Sequence, residues 1–102
     1  MTLNEYQAGA MRTAPLSNYH QSHDMLLNAV LGISGEGGEV ADIVKKALYQ
    51  GHPLDREHLM EEVGDCLYYI ALAASALNVS LDYIACLNRD KLLARYPDGF
   101  DA

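Results

Sequence analysis

The sequence predicts an all-α fold, a compact helical bundle built on a long antiparallel helix hairpin. Three observations carry this. Apolar residues recur at helical spacing through the long stretches of the chain. Nowhere do β-branched and polar residues alternate with the period of a strand. Helix-stopping residues, Pro15, Gly51 with Pro53, and Pro97, fall between those stretches.

A first helix is expected over roughly Leu3 to Thr13, followed by the polar segment TAPLSNYHQSH, in which Pro15 forbids simple continuation. A second runs from about Asp24, as N-cap, to Tyr49 or Gln50, with Gly51 suited to the C′ position and Pro53 enforcing the stop. A third starts near Asp55 and reaches Leu77 or Asn78, and a fourth is capped by Ser80 and ends before Pro97. The short connection at residues 50–55 folds the second and third into the hairpin.

The 102 residues contain no repeat, low-complexity tract or linker, so residues 1–102 read as one domain. A net charge of −7 argues against a nucleic-acid groove binder, and an anionic substrate must be met by clustered cations or a metal. Cys66 and Cys86 are too few and too far apart for a disulfide scaffold or zinc site and read as reduced and buried. The start, MTLNEYQAGAMR, lacks the pattern of a signal peptide, and the longest apolar run, Leu67 to Leu77, is shorter than the roughly 20 residues that span a bilayer. A cytoplasmic protein without a membrane partner is the expectation.

At about 100° per residue, Leu59, Val63, Cys66, Ile70, Ala73 and Leu77 form one stripe on the third helix. Met25, Leu26, Val30, Ile33, Val40, Val44 and Leu48 do the same on the second, and both stripes are expected to face the core. Beside them lie Glu62 and Asp65, in a column with His58 and Tyr69, and Glu36 and Glu39, in the sector of Ala29 and Ile43. One Glu-x-x-Glu pair is usually a solvated helix face. Two acidic pairs at the border of apolar stripes, at similar heights of about 15 Å from the turn, are a different matter. Four carboxylates that converge in a layer repel one another, and a hard divalent cation, Mg²⁺ or Mn²⁺, resolves the conflict.

The stretch GISGEGGEV holds Gly32, Gly35, Gly37 and Gly38. Together they forgo roughly 4 kcal/mol relative to alanine, a large share of a total stability of about 5–15 kcal/mol. Close approach of a ligand or backbone explains that cost, and a tight helix crossing explains it equally well. On the fourth helix Leu81, Ile84, Asn88, Lys91 and Arg95 share a face bordered by apolar residues. An amide, an ammonium and a guanidinium in a column match phosphate oxygens, or the acids of a neighbouring helix.

The segments GEGGEVAD, EEVGDCLYYIA and NRDKLLARYPDGF closely resemble the MazG-like nucleotide pyrophosphohydrolases of the all-α NTP pyrophosphatase superfamily. That family's Glu-x-x-Glu, spacer, Glu-x-x-Asp signature is matched by Glu36-Gly-Gly-Glu39 and Glu62-Val-Gly-Asp65, with 22 residues between. Asn88, Lys91, Arg95-Tyr96-Pro97 and Gly99-Phe100 resemble the C-terminal element of compact members, and Glu5-Tyr6-Gln7 with Arg12-Thr13 resembles their first helix.

The resemblance implies Mg²⁺-dependent hydrolysis of a nucleoside triphosphate to the monophosphate and pyrophosphate. It assigns Glu36, Glu39, Glu62 and Asp65 as metal ligands. A carboxylate not fully occupied by metal can take the water's proton, Glu39 first and Glu36 next, but the sequence does not separate base from ligand and leaves a metal-bound hydroxide open. Asn88, Lys91, Arg95 and Tyr96 hold the phosphates, with Lys46 a further candidate. Tyr19, His20 and Asn28 are candidates for the base pocket. It also implies a homo-oligomer, dimer or tetramer, which agrees with the wide apolar arcs of the hairpin helices. Three alternatives remain open. RYPDGF points away from a phosphoribosyl-ATP pyrophosphohydrolase, and the lack of Glu-x-x-His points away from a di-iron bundle. The intact acids and cationic row argue against a non-catalytic helical interaction module.

Overall fold

The computed structural model describes residues 1–15 and 22–100, which form four helices and no strand. They are α1 (Leu3–Met11), α2 (Ser22–Tyr49), α3 (Arg56–Ala76) and α4 (Leu81–Arg95). A helix as short as α1 needs help at its first turn. Thr2 and Glu5 supply it as a capping box, the Glu5 amide donating to Thr2 Oγ1 at 3.0 Å and the Thr2 amide to Glu5 Oε1 at 3.1 Å.

α2 begins at Ser22, ahead of the expected cap, so Asp24 lies in the first turn, where its charge favours the helix N-terminus. Beyond its last turn Gly51 takes a φ of 73°, which costs little without a Cβ, and the His52 amide donates to the Lys46 carbonyl at 3.2 Å. Asp55 caps α3 by accepting the His58 amide at 3.1 Å. The far end of α3 closes as a Schellman turn around Asn78, at φ 58°. There the Val79 amide donates to the Ala74 carbonyl and the Asn78 amide to the Ser75 carbonyl, both at 3.0 Å. Ser80 then caps α4, which leaves α3 at 99°.

α2 and α3 make the principal packed pair, while α1 lies against α3 and α4. Gln7 pins the corner. Its Nε2 donates to Ser75 Oγ at 3.0 Å and to the Val79 carbonyl at 3.1 Å, and its Oε1 accepts the Leu81 amide at 2.7 Å.

The buried residues are Ala29, Ala71, Leu72, Ala74 and Leu81. The stripes expected for the core are met in part: Met25, Leu26, Ile33, Val40 and Val44 on α2 and Leu59, Cys66 and Ala73 on α3 are half-buried. On α2, Ala29, Gly32, Glu36 and Ile43 are buried or half-buried, whereas Leu48 and Val30 are exposed. On α3, Val63 and Leu77 are 52% and 55% exposed. Tyr69 lies across Gly32 so closely that a Cβ there would collide with its ring, so α2 and α3 approach closely at this point. Among the described residues, no single helix is long and apolar enough to cross a membrane. Cys66 and Cys86 are free thiols, half-buried rather than enclosed.

Candidate active site

Glu36 and Glu39 stand one turn apart on α2, and Glu62 and Asp65 one turn apart on α3. Because both helices are measured from the same turn, the two pairs come level. One carboxylate oxygen from each of Glu36, Glu62 and Asp65 lies within 4.8 Å of the others. Glu39 is exposed and outside this trio, near enough for its charge to act on Glu36. The expected layer of four is therefore three gathered acids with the fourth at the rim.

A hydrogen bond to Glu62 is the main reason that Glu36 holds its proton above the ordinary carboxylate range. Desolvation and the charges of Glu62, Asp65 and Glu39 add to it. Three carboxylates at this spacing need a counter-charge, which a shared proton supplies in one way and a hard, oxygen-preferring divalent cation in another. The donor set thus fits such a cation.

His58, in the first turn after the Asp55 cap of α3, meets Glu62 one turn farther on, with Nε2 3.2 Å from Glu62 Oε1. On the other side of Asp65, Tyr69 meets Tyr68 edge-on, with ring centroids 5.2 Å apart and planes at 84°. Tyr6 brings α1 alongside; burial, then the charge of Asp65, then Tyr68 raise the pKa of its phenol.

Towards the hairpin turn Glu39, and His58 beside Glu62, border an open cleft of about 250 Å³. Its wall includes Glu39, Asp42 and Lys46 from α2, then His52, Asp55 and His58. Lys46 Nζ lies 2.9 Å from Asp42 Oδ2. Their hydrogen bond chiefly lowers the Asp42 pKa and raises that of Lys46.

The remaining expected residues divide. Asn88, Lys91, Arg95 and Tyr96 are all exposed on or just beyond α4, and neither cation pairs with a carboxylate among the described residues. α4 leaves α3 at 99°, and among the described residues no ion pair joins its row to the acids within one protomer. Asn28 is exposed on α2, and Tyr19 and His20 lie outside the described residues. Of the glycines, only Gly32 has a close neighbour; Gly35, Gly37 and Gly38 face open space in the protomer.

The cleft and the approach of Tyr6 to Asp65 are absent from the sequence reading. His58, four residues before Glu62, carried a usable signal, since side chains at that spacing meet on a helix. Tyr6 carried none, being brought to Asp65 only by the packing of α1 on α3.

The MazG nucleotide pyrophosphohydrolase domain matches residues 21–100, a span that takes in both acidic pairs. The chain belongs to the MazG family. The "Gene 37 protein" of Mycobacterium phage L5 is 33% identical over 105 residues, covering 97% of this chain and 92% of its own length. No solved structure matches the chain. An all-α fold is the MazG architecture, and the trio supplies oxygen donors of the kind that a divalent-metal-dependent MazG enzyme requires.

Proposed function

We propose that this MazG domain, taken as one unit over residues 1–102, hydrolyses nucleoside triphosphates, deoxynucleotides or modified nucleotides among them, to the monophosphate and pyrophosphate. The observation that carries this reading is the meeting of Glu36, Glu62 and Asp65, three of the four signature acids, across the hairpin. Mg²⁺ is the cofactor, with Mn²⁺ a substitute of similar ligand preference. When bound it supplies neutralisation of charge and orientation of the phosphates.

The chemistry balances simply. The oxygen of a water molecule bonds to the α-phosphorus, the bond from that phosphorus to the bridging oxygen breaks, and its electron pair leaves with pyrophosphate. The water's proton passes to a carboxylate, for which Glu39 and Glu36 are the two candidates. Glu39 stands outside the trio, at its rim. Glu36 lies within the trio, one turn from Glu39 on the same helix.

The same reading places Asn88, Lys91, Arg95 and Tyr96 on the phosphates of a site in a second copy, in a cytoplasmic homo-oligomer of two or four chains. Support comes from the shape of the protomer. Its radius of gyration is 16.3 Å, against about 13 Å for a globular chain of this length. Val63, Leu77, Leu87 and Leu93 remain exposed as apolar surface to be covered.

A coupled assay with inorganic pyrophosphatase, Mg²⁺ and a nucleotide panel tests the activity, and pyrophosphate rather than orthophosphate is the expected product. Asp65→Asn and Glu39→Gln should abolish turnover while leaving helical circular dichroism unchanged. Wild-type rates in either variant would remove that carboxylate from the site. Silence of the wild-type protein across the panel would leave a non-catalytic helical module.

A further inference from the structure

The acidic trio has two unlike sides. Away from the turn lie Gly32 and Tyr69, in contact and without space between them. Towards the turn lies the cleft, open and bordered by Glu39, with Ile43 and Pro53 among its charged lining. The cleft wall carries both signs of charge. Lys46 and Asp42 neutralise each other at 2.9 Å, and Asp55 spends Oδ1 on the His58 amide. His52 is exposed at the cleft through the turn that Gly51 allows, its backbone amide already committed to the Lys46 carbonyl. Its imidazole is left to meet a ligand. A bare anion would meet three acids here and a bare cation would meet Lys46. A ligand that itself carries both signs, an oligophosphate with its magnesium, suits the whole wall.

We propose that this cleft receives the pyrophosphate end of the substrate, and after cleavage the magnesium–pyrophosphate product, with His52 and Lys46 as the side chains that hold its oxygens. The proposal rests on the triphosphate reading above. Distance permits it. Lys46 follows Glu39 by seven residues, about 10 Å along the helix axis, and its flexible stem can reach back towards the trio. The proposal also separates the two candidate bases. In-line displacement puts the attacking water opposite the leaving group. With pyrophosphate on the turn side, where Glu39 lies, the proton acceptor is Glu36, one turn farther from the cleft.

Calorimetric titration of the intact protein with pyrophosphate in excess Mg²⁺ tests this without turnover. His52→Ala should weaken pyrophosphate binding by about tenfold or more, the scale of losing one hydrogen bond to a charged ligand. Lys46→Met paired with Asp42→Asn, which removes the cation without unmasking its acid, should do the same. Binding of a nucleoside monophosphate should not change in either. The proposal is overturned if wild-type protein takes up no pyrophosphate, if both variants bind it normally, or if monophosphate binding falls in parallel. Weakening in either variant with monophosphate binding intact supports it. Normal pyrophosphate binding by these variants beside a dead Asp65→Asn enzyme would sink the cleft assignment alone. An active Asp65→Asn enzyme would instead strike at the reading beneath it.

Discussion

The carboxylate layer and the cationic row of α4 are each a set of side chains at helical spacing, yet only one is assembled within the protomer. The acids meet because α2 and α3 are joined by a short turn and pack on each other, so the turn fixes which residues come level. Asn88, Lys91 and Arg95 lie beyond a corner of 99° that points α4 away from that pairing. Gln7 holds this corner with three hydrogen bonds, so the direction of α4 is built in. A layer set by a hairpin needs one chain. A row displayed on an outstretched helix needs something to meet.

The largest expected effect comes from mixing two inactive variants. Asp65→Asn spoils the layer and Arg95→Ala the row, and each alone should be nearly inert. If α4 serves a neighbour, subunit exchange creates some sites with both halves intact, and activity returns to a level that neither variant shows. A mixture as inert as its parts would confine both halves to one chain and break the comparison.

Next comes Gly32→Ala, which touches the layer's packing and spares the row. The added methyl meets the Tyr69 ring, and overpacking of this kind costs about 1–3 kcal/mol. A melting temperature several degrees lower is the expected readout, and an unchanged one would show that the Tyr69 ring moves aside freely.

A smaller effect distinguishes the layer by its protons. Glu36 has a folded pKa above its unfolded value, so the stability linked to it is present at low pH and is lost as pH rises through the elevated pKa. Melting of chelator-treated protein should therefore decline across that interval, and Mg²⁺ should offset the decline at the upper end. Arg95→Ala, remote from these acids, should leave the profile unchanged. A flat profile in metal-free protein would mean that the three acids do not share a proton.

The smallest effect is at Gly37, whose added Cβ would meet nothing in the protomer. Gly37→Ala should raise stability by about 0.4–1 kcal/mol through the unfolded chain. A gain in melting temperature with a loss of turnover would identify bare backbone needed by a ligand or a second copy. A gain in both would return Gly37 to simple tolerance.

Local order was legible because it is a property of neighbouring residues. Asp55, Ser80, Gly51 and Pro97 punctuate helices through hydrogen bonds and torsions within a few positions, and the helices end where those residues stand. The spacing of Glu36, Glu62 and Asp65 was legible for the same reason, since a short turn converts distance along the chain into height along the hairpin. The facing sector was legible only in part. Apolar periodicity names a stripe, but it gives no weight to one ring lying on one glycine and does not tell that Val63 and Leu77 stay at the surface.

By itself, then, the amino-acid order determined four helices, the hairpin and the level at which its acids face one another, because these follow from short-range geometry. Tertiary structure alone decided that Glu39 stands at the rim of the trio, that His52 and Lys46 share a cleft, and that α4 points away from the acids. Those outcomes depend on the rotation of whole helices and the angle of one corner. Both are fixed by contacts between residues far apart in the chain, such as Gln7 with Leu81.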